Sequence, residues 1–181
     1  MKLAAFVLAM VAIAGCAQPH RTGTAVAIAT PDNTGTPERF VDWLYHRYRH
    51  HPIEGRRPPW AGSEWWDESV YTPTLLALFA RQDALAREAQ REMGGDEICQ
   101  CREWRDLRLL ERNATATGEG RAEVTVRFEN YGDEKRARLV LERTPAGWRV
   151  ADLIDEFHAD GLLAALRHSV AQAERERAAG Q

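Results

Sequence analysis

The sequence predicts an α+β domain: a cone-like curved antiparallel sheet of about four strands packed against two N-terminal helices and one C-terminal helix. Three observations predict it. Thr-Pro pairs at Thr36-Pro37 and Thr72-Pro73 open two stretches of helical period, with Thr as N-cap and Pro at the first helical position. Beyond Leu107 the apolar period changes from 3.6 to 2. From about Asp160 it returns to helical spacing.

The first helix carries Glu38 in its opening turn and an apolar stripe of Phe40, Trp43, Leu44 and Arg47 at i, i+3, i+4, i+7. It should stop before Pro52, because the residue ahead of a proline is pushed out of the α region. Residues 51–70 hold prolines, glycines and the tryptophans Trp60, Trp65 and Trp66, too Pro-rich for a helix and too aromatic for a disordered linker. An ordered, packed loop is expected there. Leu75, Leu76, Phe79 and Ala86 give a second amphipathic helix that should end near Gly94-Gly95.

Four alternating segments follow: Leu107 and Leu109; Val124, Val126 and Phe128; Ala137, Leu139 and Leu141; Trp148 and Val150. Glu123, Thr125 and Arg127 would take the outer face. The turn-rich connections Asn113 to Gly120, Asn130 to Asp133 and Pro145 to Gly147 are short, so consecutive strands should pair as an antiparallel meander. The last helix, about Asp160 to Arg177, carries Leu162, Leu163, Leu166 and Val170 on one side.

The N-terminal end has a different logic. Lys2 precedes the apolar run Leu3 to Ile13, followed by Ala14-Gly15-Cys16, the charged, hydrophobic and small-residue order of a secretory signal. As a helix that run would span only about 16 Å at roughly 1.5 Å per residue, short of the roughly 30 Å hydrocarbon core. The tetrad Ile13-Ala14-Gly15-Cys16 resembles the lipobox of bacterial lipoproteins. That resemblance implies cleavage after residue 15 and acylation of Cys16, and Ala17 at the following position implies outer-membrane sorting. The expected organisation is a signal peptide at 1–15, a lipidated flexible tether at 16–36, one domain at 37–177 and a disordered tail at 178–181. Two or three acyl chains exceed the two-signal threshold for stable membrane anchoring. The expected location is therefore the cell envelope, on the periplasmic side of the outer membrane.

The domain layout also resembles the cone-shaped fold of the nuclear transport factor two-like superfamily. Within it, Asp96-Glu97-Ile98-Cys99-Gln100-Cys101 with Trp104 and Asp106, and later Gly147-Trp148-Arg149-Val150-Ala151-Asp152-Leu153, resemble a bacterial family of small exported domains with no assigned activity. The likeness covers roughly residues 38 to 170. Arg102-Glu103 stands where that family carries Gln-Asp. The superfamily hosts pockets at the mouth of the cone, which implies a ligand site lined here by Trp43, Arg47, Trp104 and Asp152.

Charge narrows the partners. The chain has 24 Lys and Arg against 27 Asp and Glu; loss of Lys2 with the leader leaves 23 against 27, a balance of −4. Arginines are interleaved with acids instead of forming a one-sign stripe, which argues against nucleic acid. The expected partners are the bilayer, through Cys16, and a small ligand, peptide or envelope protein.

Four groups could carry chemistry. Cys99 and Cys101 are the thiols left once Cys16 is acylated, and an oxidising compartment lets them pair. In an extended strand residues i and i+2 lie about 6.6 Å apart, whereas a disulfide needs Cβ atoms about 3.8 Å apart. A bond therefore requires a turn, which the Gly94-Gly95-Asp96 approach can provide; free structural thiols are the alternative, and the single spacer residue departs from thioredoxin-type redox chemistry, which uses two with a following helix. His46 and His50 at i, i+4, with His51 beside them, have a spacing that holds a transition metal, but also the look of a solvated helix end, and no HExxH acid accompanies them. Asp152, Asp155, Glu156 and His158 follow the last strand and are the minimum equipment for acid–base work, or simply a solvated strand end. Trp43, Trp104 and Trp148 build core or, if the core is incompletely filled, line a pocket.

With no nucleophile, cofactor or metal motif, the leading expectation is a non-catalytic binding module that needs no cofactor. An interaction or immunity-type lipoprotein docking through Trp60, Trp65 and Trp66 is the second reading, since tryptophans concentrate in interface hot spots. A small acid–base enzyme using the cone pocket is the third.

Overall fold

Two helices, a four-stranded meander and a closing helix follow one another along the chain, as the change of apolar period predicts. The computed structural model describes residues 35–49, 67–89, 95–102, 104 and 107–180. The expected leader, Cys16, the tether, His50, His51 and the Trp60, Trp65 and Trp66 loop lie outside the described residues.

Helix α1 is Pro37–Arg49. The Thr36 carbonyl accepts the Phe40 amide at 3.2 Å, and the Thr36 hydroxyl holds the Glu38 carboxyl below its usual range. Its buried stripe is Phe40, Val41, Leu44, Tyr45 and Tyr48, rotated from the expected one so that Trp43 is only partly buried. Tyrosines can occupy that face because their hydroxyls are satisfied: Tyr48 donates to Asp96 at 2.7 Å and Tyr45 to the Ile98 carbonyl at 3.3 Å. Helix α2, Pro73–Glu88, stops short of the expected Gly94-Gly95. Its last large buried apolar side chain is Leu85, and one turn further on the sequence offers only Glu88 and the small Ala89.

Strands β1 (Arg108–Gly118), β2 (Arg121–Asn130), β3 (Asp133–Thr144) and β4 (Gly147–Ile154) form one antiparallel sheet in the order β1-β2-β3-β4. The expected connection from Asn113 to Gly120 is corrected: β1 continues through Gly118, with Ala114 opposite Val124 and Ala116 opposite Ala122. Thr115 and Thr117 favour a strand there, Ala114 and Ala116 are carried into it by pairing with β2, and the reversal is left to Glu119-Gly120, where Gly120 takes φ +67. Between β2 and β3 the reversal is made by Tyr131 and Gly132, both at positive φ, the two-residue hairpin chemistry.

Ala122, Val124, Val126 and Phe128 of β2, with Ala137, Leu139 and Leu141 of β3, bury the inner face. The outer face is polar, laced by pairs such as Arg127 with Glu111 and Glu134, and Arg138 with Glu123. Helix α1 packs over β1 and β2. The segment Val70 to Thr72 lies along the edge of β4, bonding Val150 from both sides.

Helix α3, Leu162–Ala179, packs on α2 and β4 and runs past Arg177 into what the sequence reading leaves as tail. Ion pairs Arg81–Glu174 and Arg177–Glu88 join it to α2. Gly161 ahead of it takes φ +95, and a Cβ there would collide with the Asp152 carboxylate. That carboxylate accepts the Leu163 amide at 2.9 Å, so β4 caps the N-terminus of α3. Trp148 of β4 donates its indole N–H to the Gly35 carbonyl at 2.9 Å, just ahead of α1.

Candidate functional site: a cleft between α1 and a bulged edge strand

Strand β1 is outermost in the sheet, and its pairing slips once near its start. Leu109 faces Phe128 and Glu111 faces Arg127, so Leu110 is an extra residue without a partner across the ladder. Such a bulge breaks strict alternation and re-aims side chains. Here Leu109, Leu110 and Arg112 all border one cleft, whose opposite wall is Asp42, Tyr45 and His46 of α1. Its volume is about 310 Å³, at the small end of the range of roughly 300–1,000 Å³ typical of small-molecule sites.

The wall chemistry is divided. Leu109, Leu110 and the Tyr45 ring supply apolar surface, and the ring is fixed by packing on Phe128 at a centroid distance of 5.1 Å. Leu110 is 39% exposed, one of few large apolar side chains left so open among the described residues. Arg112 and Asp42 bridge the cleft at 2.6 Å, from side chains 38% and 43% exposed. A pair that exposed is worth about 0–1 kcal/mol, so a ligand carboxylate can take over the guanidinium at little cost.

A second cluster lies beside the C-terminal half of α1, where Tyr45 and Tyr48 reach it. Residues 96–101 form a tight loop closed by two backbone bonds between Asp96 and Cys101, and the structure joins Cys99 to Cys101 in a disulfide. The turn that such a bond requires is present, with Gln100 at φ +53. Gly95 is needed at its base, because a Cβ there would strike the Cys101 carbonyl. Asp96 holds the loop together: it accepts the Ile98 and Cys99 amides and the Tyr48 hydroxyl. Burial pushes its carboxyl up despite those bonds, and pushes the Tyr45, Tyr48 and Tyr71 hydroxyls well up.

Glu97 in that loop faces His158, with Oε2 3.8 Å from Nε2. On its other side His158 Nδ1 lies 3.0 Å from Asp155 Oδ1, which also accepts the Phe157 and His158 amides. The Asp155 side chain is fully buried, and its Oδ2 finds no hydrogen-bond partner among the described residues. Burial raises Glu97 to about 7; His158 opposes that rise, and the neighbouring Asp96 and Asp155 reinforce it.

The residues expected to line a cone mouth are distributed otherwise. Trp43 and Arg47 meet, with the guanidinium 4.7 Å from the ring centroid, but Arg47 is also bound to Asp67 at 2.6 Å in a largely buried ion pair. Burial pushes the Asp67 carboxyl up, yet Ser69 and Arg47 outweigh it and hold it below the usual range. Trp104 is buried edge-on against Tyr48, its indole N–H unpartnered among the described residues. Asp152 stands across from Val140 and serves the start of α3. His46 borders the cleft.

Among the described residues no cluster of three or more His, Cys, Asp or Glu is arranged to hold a metal, and no helix is long and apolar enough to cross a membrane. Sequence reasoning missed Leu110, Arg112, Asp42 and Glu97. The Leu109-Leu110 doublet, which breaks the period of 2, was the available signal for the first. No protein-family model, curated protein or solved structure matches this chain.

Proposed function

We propose that this chain is an envelope lipoprotein, anchored through acylated Cys16 to the periplasmic face of the outer membrane, that binds a small ligand in the cleft between α1 and β1 without transforming it. The cleft at the Leu110 bulge carries this reading: a break in strand alternation brings apolar surface and an exchangeable Arg112–Asp42 pair to one concave place. The ligand class that fits is a small molecule or peptide end with an apolar body and a carboxylate. The lipobox-like tetrad ending in Cys16 supports the anchoring.

Two experiments test it. Thermal-shift and NMR screening of amphipathic carboxylates and short peptides should give hits that Leu110→Arg, which fills the cleft, abolishes; hits that survive the substitution refute the site. Labelled palmitate should enter the wild type and not Cys16→Ser, and a Cys16→Ser protein that still sediments with membranes refutes the anchor.

A second reading, proton transfer, is favoured by the Glu97–His158–Asp155 line, where a carboxylate orients an imidazole whose far nitrogen faces another carboxyl. It expects turnover of ester or enolisable carbonyl substrates with a pH profile lost in His158→Gln. Inertness of the wild type across such a panel removes it.

A further inference from the structure

The loop at 96–101 holds a disulfide whose construction differs from that of a structural staple. It joins residues only two apart, so closing its ring constrains the unfolded chain very little. Within that ring Gln100, a residue with a Cβ, sits at φ +53, a conformation that L residues avoid. The two sulfurs are unequal: Cys99 is fully buried, whereas Cys101 is partly exposed. Lys135 donates its ammonium to the Gln100 carbonyl at 2.6 Å, placing a positive charge on the residue between the two cysteines. Nearby cations favour thiolates. Glu97, in the same turn, and His158 facing it are proton-carrying groups at the loop. Strained or exposed disulfides are the labile and catalytic ones, while unstrained buried ones resist reduction.

We propose that Cys99–Cys101 is a thiol–disulfide exchange site that accepts two electrons from a dithiol, with Cys101 as the sulfur attacked. A substrate thiolate attacks Sγ of Cys101; a mixed disulfide forms, the Cys99–Cys101 bond breaks, and Cys99 leaves as a thiolate that takes up a proton. The second substrate thiolate then attacks the substrate sulfur of the mixed disulfide and expels Cys101, which takes up the second proton. The substrate dithiol loses two electrons and two protons to become a disulfide, and the loop gains them as two thiols. Asp96, already committed to two amides and the Tyr48 hydroxyl, keeps the opened loop in place. The exchange uses no residue that lines the α1–β1 cleft, although Tyr45 touches both.

The test uses the full chain, oxidised, with peptide mass mapping to distinguish the loop from Cys16. Reduced glutathione in native buffer should open the disulfide, with the first adduct on Cys101. Oxidised glutathione should modify Cys101 of Cys99→Ser at least tenfold faster than Cys99 of Cys101→Ser. The wild type should oxidise a stoichiometric amount of dithiothreitol or of a reduced two-cysteine peptide; oxidation of the peptide alone identifies a polypeptide as the source of the dithiol. Gln100→Gly, which removes the left-handed penalty of about 1–2 kcal/mol, should shift the glutathione equilibrium about tenfold toward the disulfide. The proposal is overturned by a loop that opens only in denaturant, by equal labelling of the two sulfurs, or by an unshifted Gln100→Gly.

Discussion

Replacing Glu97 by glutamine should stabilise the protein at alkaline pH and leave it nearly unchanged at acid pH. Burial lifts the Glu97 carboxyl from an ordinary 4.5 to about 7, with Asp96 and Asp155 adding to the rise and His158 opposing it. The native fold therefore prefers the neutral acid. A raised carboxyl contributes its stability fully below the unfolded value, near pH 4.5, and loses it as pH climbs through about 7. Each unit is worth about 1.36 kcal/mol, so the interval corresponds to roughly 3 kcal/mol between pH 4.5 and 8. The Glu97 side chain is 28% exposed, which makes that figure an upper bound. Glutamine keeps the shape of the protonated acid and cannot ionise. Urea denaturation of wild type and Glu97→Gln at pH 5 and pH 8 reads the effect, with distant titrating groups cancelling in the difference and the contact with His158 included in it. The variant should gain as much as about 3 kcal/mol at pH 8. An equal difference at both values, or a loss at pH 8, refutes the account of a carboxyl held neutral by its surroundings.

Four further outcomes follow from the packing. Arg47→Ala should destabilise by about 3–5 kcal/mol in chemical denaturation because it leaves Asp67 partly buried without its cation, whereas Arg47→Met combined with Asp67→Leu should recover most of that loss. Tyr48→Phe should cost about 2 kcal/mol, the worth of a hydrogen bond to a charged acceptor, and should raise hydrogen exchange at the Ile98 and Cys99 amides that share Asp96. Asp152→Ala should cost about 1 kcal/mol through loss of the α3 cap. Gly161→Ala should cost about 2 kcal/mol or more, since its positive φ and the adjacent carboxylate both oppose a Cβ.

The elements were more legible than the site. Thr36-Pro37 and Thr72-Pro73 marked two helix starts to the residue, because a proline's fixed φ is local chemistry, even though the Thr72 hydroxyl makes no capping bond. Asn130 to Asp133 marked its hairpin for the same reason. The face of α1 was misjudged toward Trp43, since Tyr45 and Tyr48 count as half polar until their hydroxyls find Ile98 and Asp96, far along the chain. The extent of β1 was missed because Ala114 and Ala116 look like loop residues unless Val124 and Ala122 stand opposite them. The cleft had only the Leu109-Leu110 doublet to announce it, and which way a bulge turns a side chain depends on the neighbouring strand. The partnership of Glu97 with His158 joins the loop before the sheet to the turn after it, and no spacing rule connects the two.

The bond from the Trp148 indole to the Gly35 carbonyl fastens the chain ahead of α1 to the last strand of the sheet. A load applied through the chain ahead of Thr36 meets a clamp built on the last strand of the sheet before it reaches the first turn of α1.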